Sequence, residues 1–261
     1  MTSNDTTPTG LEAVAIAAIR ALLGKKRAAK FEYNLLYRKQ REEWLAKGGK
    51  ITKTHRILRD YADTAGSATG HYFHQDLLVA KLIFENNPER HIDIGSRVDG
   101  FVAHVASFRK IEVVDVRPLE KSVHDNITFK QADLMFPQDL GQTDSLSCLH
   151  AIEHFGLGRY TDPIDIDGHT KGIKNLVDLV SDGGRLYISF PIGQDDEVHF
   201  NAHRVFHPLS ILKHPSIAEH MTLRRFDFVD DAGDLHLDLD VESVVGKPHY
   251  GCGIYTFEKT S

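Results

Sequence analysis

Between His91 and Ile192 the chain alternates short apolar strands with helical stretches, and this constrains its fold more than any other feature. "HIDIG" reads as a strand meeting a glycine, and "VDGFVAHVASF" reads as a helix. "KIEVVDV", "ITFKQADL" and "DSLSCLHAI" read as three further strands. "KGIKNLVDLV" is a helix that "SDGG" closes, and "RLYISFP" is the fifth strand. Such alternation implies a parallel sheet with right-handed crossovers. "LRRFDFVDDAGDLHLDLDV", with Leu235, Leu237 and Leu239 in alternation, and "YGCGIYTFEK" then add strand-rich segments. The expected fold is α/β: a mostly parallel central sheet ending in a C-terminal antiparallel hairpin.

Upstream the texture is helical. Residues 1–10 are polar and are expected to form a disordered tail. Residues 11–68 are expected to form an N-terminal helical extension, and residues 69–261 the main domain. "LEAVAIAAIRALLGKKR" carries apolar residues at helical spacing, and Lys25, Lys26 and Arg27 suit the end of that helix. Its stripe fits packing within the chain or a homodimer better than a membrane surface. "FEYNLLYRKQREEWLAKGG" and "HYFHQDLLVAKLIFENNP" read as two more helices.

No apolar run approaches the length of a membrane span. The formal net charge of -6 argues against nucleic-acid binding by charge. Cys148 and Cys252 lie in apolar runs and form no disulfide framework, so a cytoplasmic protein with buried thiols is expected.

The loop after the first strand narrows the ligand. In open α/β sheets, ligands bind at the carboxyl ends of the strands, beside a switch point. In "HIDIGSRVDG", Gly95 and Gly100 fill the first and third glycine positions of a dinucleotide fingerprint, but Arg97 replaces the second. That middle glycine lets a pyrophosphate approach the backbone, so an NAD-dependent enzyme is the weaker alternative. Asp115 ends the second strand, where an acid can take both ribose hydroxyls. Asp133 ends the third, within reach of an adenine amino group. Asp93 ends the first, where a carboxylate can hold an ammonium. Three acids at adjacent strand ends suit a nucleoside with a positive amine and no phosphate, and S-adenosylmethionine is such a ligand.

Across about residues 70–258 the sequence resembles the class I, Rossmann-like S-adenosylmethionine-dependent methyltransferases. "DIGSR" departs from their usual pattern at Arg97. "DIGSR", "EHFGLGRYTDPID" and "FNAHRVF" together resemble an uncharacterised methyltransferase-like family, first described from nematode proteins. Its bacterial relatives often accompany surface-polysaccharide genes. The resemblance implies a cofactor site formed by Asp93, Gly95, Ser96, Arg97, Asp115, Val116, Asp133, Leu134 and His150. Tyr72 and Gln75 would cover the methionine end.

One motif points elsewhere. His150, Glu153 and His154 spell H-x-x-E-H, an inverted zinc-protease signature. That signature needs a sustained helix, whereas "DSLSCL" precedes it as a strand and Gly156 and Gly158 follow. "DPIDIDGH" likewise fails as a calcium loop, since Pro163 and Lys174 occupy ligand positions. Neither motif is expected to hold a metal.

The resulting expectation is methyl transfer to a hydroxyl of a small-molecule or carbohydrate acceptor. His154 would be the base, oriented by Glu153, with His203 as the second candidate and Arg204 binding an acidic group. A non-catalytic partner protein that keeps the fold is the alternative of a different class.

Overall fold

The computed structural model describes residues 10–260. The described residues fall into two compact units, one ending at Ser67 and the other starting at Ala68. The expected tail lies outside the described residues, except Gly10, which opens a helix.

In the first unit, α1 (Gly10–Leu23) and α2 (Lys25–Ala46) pack on each other. The single helix expected over 11–27 is broken at Gly24, whose φ of 84° lies outside the helical region. Lys25–Arg27 therefore open the second helix instead of closing the first. Ile16 and Ala28 are the buried residues of this pair, while Leu11, Val14 and Leu22 of the expected stripe stay exposed. No helix among the described residues is long and apolar enough to cross a membrane.

The second unit opens with α3 (His71–Asn86). Five strands follow: β1 (His91–Ile94), β2 (Ile111–Asp115), β3 (Ile127–Gln131), β4 (Thr143–Leu149) and β5 (Val180–Ile192). A π-turn over Val98–Val102 and the short α4 (Ala103–Ala106) connect β1 to β2. Helix α5 (Gly168–Leu179) leads into β5. A small hairpin of β6 (Glu197–His199) and β7 (His203–Val205) follows. Then come α6 (Pro215–His220), β8 (Met221–Val229), β9 (Leu235–His236) and β10 (Gly251–Lys259).

The main sheet runs β3-β2-β1-β4-β5-β10-β8-β9. β1 to β5 pair in parallel, and β10 inserts antiparallel between β5 and β8. The strand order reverses between β1 and β4, which places the crevice of an open α/β sheet at their carboxyl ends.

Both sheet faces are covered. One face carries Ile92, Leu146, Ile188 and Tyr255 against Leu176 and Val177 of α5. The other carries Val113, Tyr187, Val229 and Ile254 against Val79 and Ile83 of α3. Leu186, Tyr187 and Ile188 alternate faces and all are fully buried, as a central strand with helices on both sides requires.

The run Leu235, Leu237, Leu239 pairs as a strand only at Leu235–His236. Asp238 turns into the left-handed region at φ 51°, and its amide donates to Asp227 Oδ1 at 2.9 Å. A side-chain acceptor on β8 thus takes the place of a ladder carbonyl at this residue.

Candidate active site

A narrow cleft sits on the carboxyl ends of β1, β2 and β3. Gly95 and Val114 line it beside Leu134, Met135 and Phe155, while Asp115, Asp133 and Asp162 supply carboxylates.

Two glycines shape the loop after β1. Gly95 has φ 72°, and a Cβ there would lie 2.9 Å from the Ala151 methyl. A Cβ at Gly100 would lie 2.5 Å from Asp76 Oδ2. At Gly95 the positive φ and the nearby Ala151 methyl together favour glycine.

Asp115 and Asp133 line the cleft, as do Val116 and Leu134. Arg117 clamps Asp115: its Nη2 donates to Oδ2 at 2.6 Å and its Nε to Oδ1 at 3.0 Å. Asp133 Oδ1 accepts from the Met135 amide at 2.9 Å, and burial raises its carboxyl above the ordinary range.

Asp93 differs from expectation. It is fully buried and absent from the cleft wall. Its Oδ1 accepts from Ser96 Oγ at 2.6 Å and from Ser147 Oγ at 2.5 Å, and its Oδ2 accepts from the Ser96 amide. Burial raises its pKa to about 7 against these hydrogen bonds. Ser96 Oγ in turn accepts from the Leu149 amide. Asp93 and Ser96 thus tie the β1 loop to β4, with their polar atoms already satisfied. Arg97 is likewise absent from the cleft wall. It pairs with Asp99 at 3.2 Å, and its guanidinium lies 5.0 Å over the Tyr72 ring.

The segment after β4 brings the histidines together. His150 sits at φ 48°, and a short 3-10 turn over Ile152–His154 follows. This confirms that no sustained helix carries H-x-x-E-H. Glu153 Oε1 bonds His150 Nδ1 at 2.8 Å and lies 3.8 Å from His154 Nε2. Glu153 therefore orients His150, and not His154 as expected. Burial raises the Glu153 carboxyl, but His150 and His154 outweigh it and hold it below the ordinary range. Burial opposes charge on His150, and Cys252 and Glu153 outweigh it.

His154 lines the cleft and is oriented by the main chain. Its Nδ1 donates to the Ala202 carbonyl at 2.8 Å, which leaves Nε2 with the lone pair. Burial lowers its pKa, with Glu153 opposing. Arg159 donates to the same carbonyl at 2.7 Å.

His203 and Arg204 lie on β7. Arg204 is buried, and its Nη1 donates to the Phe155 carbonyl at 2.6 Å. Through that Nη1 it pins the turn that carries Glu153 and His154, and it lines a separate cavity beside His169 and His214. His203 Nε2 is buried with no nitrogen or oxygen partner, as are His150 Nε2 and Glu153 Oε2. Such orphaned atoms signal a ligand or water. On the α3 side, Gln75 is buried and accepts from Ser189 Oγ at 2.6 Å, while the Tyr72 ring lies 5.0 Å from His150.

Sequence reasoning missed Arg117, Met135, Phe155, Tyr160 and Asp162 on the cleft wall. Arg117, two residues beyond the ribose acid, was the one visible signal.

Order, crossovers and cleft define a Rossmann-like methyltransferase fold, and solved structures agree. The N-methyltransferase NodS of Bradyrhizobium japonicum WM9, solved with S-adenosyl-L-homocysteine, is 13% identical, with 74% of this chain and 89% of that chain covered and a TM-score of 0.50. An O-methyltransferase from a trans-AT PKS multienzyme of Brevibacillus brevis, solved with the same ligand, is 13% identical, with coverages of 72% and 71% and a TM-score of 0.52. The cyclase SpnF is 12% identical, with coverages of 82% and 90% and a TM-score of 0.52. These likenesses establish the fold.

Residues 125–229 match the family described as "Caenorhabditis protein of unknown function, DUF268". The matched stretch holds β3 to β8, and with them Glu153, His154, His203 and Arg204. No curated protein matches the chain.

Proposed function

We propose that this protein is an S-adenosylmethionine-dependent methyltransferase that methylates a hydroxyl of a small-molecule or sugar acceptor. The observation that carries the reading is the cleft itself: apolar floor, Asp115 and Asp133 at adjacent strand ends, and no glycine-lined phosphate cradle, because Arg97 stands where the middle glycine would be. These residues fit an adenosine. Asp115 would accept from a ribose hydroxyl, Asp133 from the adenine amino group, and Leu134 and Met135 would pack on the base. Several of the similar folds, NodS among them, were solved with the demethylated product of this cofactor.

When bound, the cofactor would supply an activated methyl group on a sulfonium, so the protein's task is to position the acceptor and remove its proton. His154 has the geometry of that base. Its Nδ1–H is fixed on Ala202, its Nε2 carries the lone pair, and its lowered pKa keeps it neutral near pH 7. Arg204 positions the turn beneath it through Phe155. The link to surface polysaccharide and the cytoplasmic location rest on the sequence resemblance and the buried thiols.

Calorimetric titration with S-adenosylhomocysteine, with NAD as comparison, tests the reading. Saturable binding of the first alone is expected. Binding of NAD alone, or of neither, would overturn it.

A further inference from the structure

Three ligand-type side chains from distant parts of the sequence meet outside the cleft wall. A ring nitrogen of His71, a ring nitrogen of His150 and the Sγ of Cys252 lie within 4.8 Å of one another. They come from the first turn of α3, the end of β4 and the start of β10. Neither metal-like motif in the sequence contains this set.

The state of each atom points to a cation. His150 is nine-tenths buried, and its Nδ1 is committed to Glu153 at 2.8 Å. Its Nε2 is buried beside the Cys252 thiol, with no nitrogen or oxygen partner. A carboxylate on one ring nitrogen with the other left free is the arrangement found behind metal-bound histidines. His71 lies with its ring 11° from the plane of His150, and it bonds the Tyr250 backbone. Cys252 is fully buried, and its nearest acceptors, Gln75 Oε1 and the Gly253 carbonyl, stand at 3.9 and 3.8 Å.

We propose that His71, His150 and Cys252 form a binding site for a borderline-soft divalent cation of the zinc type. Two imidazoles and one thiolate are a ligand set for zinc with one position left open. Tyr72 and Tyr250, both partly exposed, stand at the rim beside His150 and His71. Tetrahedral zinc holds such atoms roughly 3.3–3.7 Å apart, given its bond lengths. Separations of no more than 4.8 Å are within side-chain rotation of that range. Binding releases the Cys252 thiol proton and any proton on His150 Nε2 to solvent, so affinity rises with pH. The site stands whether or not methyl transfer is the reaction.

The test is titration of chelator-treated, dialysed full-length protein with zinc and with cobalt(II), in the absence of any cofactor. We expect about one equivalent of tight binding per chain and a thiolate-to-cobalt charge-transfer band. Cys252→Ser should abolish the band, and His71→Gln should weaken zinc binding at least ~10-fold. The exposed His124→Gln should change neither. Circular dichroism establishes that each variant is folded, and His71→Gln carries the test if Cys252→Ser does not fold. Absence of stoichiometric binding, or binding indifferent to His71→Gln, overturns the proposal. Titration of the same metal-free protein with S-adenosylhomocysteine separates this result from the cofactor assignment.

Discussion

Arg117 grips both carboxylate oxygens of Asp115, while its guanidinium lies 4.4 Å over the ring of Tyr160. One side chain thus fixes the acid at the end of β2 and ties it to an aromatic on the opposite wall of the cleft. A carboxylate has about four lone-pair sites, and the Arg117 amide, Nε and Nη2 take three, so Asp115 keeps one on Oδ2 for a ribose hydroxyl.

Asp115→Ala should weaken S-adenosylhomocysteine binding roughly 10- to 100-fold, the range for losing hydrogen bonds to a charged group. Arg117→Ala should weaken it by less, because the carboxylate loses its orientation but not its charge. Arg117→Lys should not restore it, since an ammonium cannot make the planar two-point grip. Calorimetry on the three variants checks the order.

His154→Ala should leave cofactor affinity nearly unchanged and reduce transfer by about 10²–10⁴-fold, the usual contribution of a positioned base. In the parent enzyme, transfer should fall as pH drops, with a midpoint below the ordinary imidazole value of 6.5, because burial lowers the His154 pKa. Single-turnover rates across pH measure both.

Stability should fall on the acid side. The folded-state pKa values of His71 and His169 are lowered to about 4, and that of His91 to about 3, in each case chiefly by burial. The unfolded chain therefore binds more protons below 6.5, and stability present above that value is lost as pH falls toward 4. Asp93 acts in the opposite sense. Its pKa is raised to about 7, so its contribution is complete below the unfolded value of 3.8 and is lost as pH rises through 7. Asp93→Asn should therefore make the loss of stability between pH 6.5 and 4 steeper. Urea unfolding at several pH values tests this.

Gly95→Ala should destabilise the protein by about 1–3 kcal/mol, because the residue sits at φ 72° and its new methyl meets Ala151. The affected loop forms the cleft floor, so S-adenosylhomocysteine binding should fall with it. Thermal unfolding alongside calorimetry measures the two effects.

The sequence by itself determined the architecture. Alternating strand and helix patterns between His91 and Ile192 left a parallel sheet as the consistent reading, because periodicity and turn residues are local properties. Asp115 and Asp133 were legible for the same reason: each ends a recognisable strand, and parallel strand ends gather on one edge. Tertiary structure decided what each side chain does there. Asp93 ends a strand too, yet Ser96 and Ser147 saturate its carboxylate, and Ser147 comes from another strand. Glu153 lies next to His154 in the chain, but the turn aims it at His150, and the carbonyl of Ala202 orients His154 instead. Arg204 gains a structural role that its sequence context does not show, since its Nη1 holds the Phe155 carbonyl. The meeting of His71, His150 and Cys252 spans most of the chain, and no local pattern encodes it. Hydrogen-bond direction and long-range juxtaposition depend on packing between elements, which only the folded chain specifies.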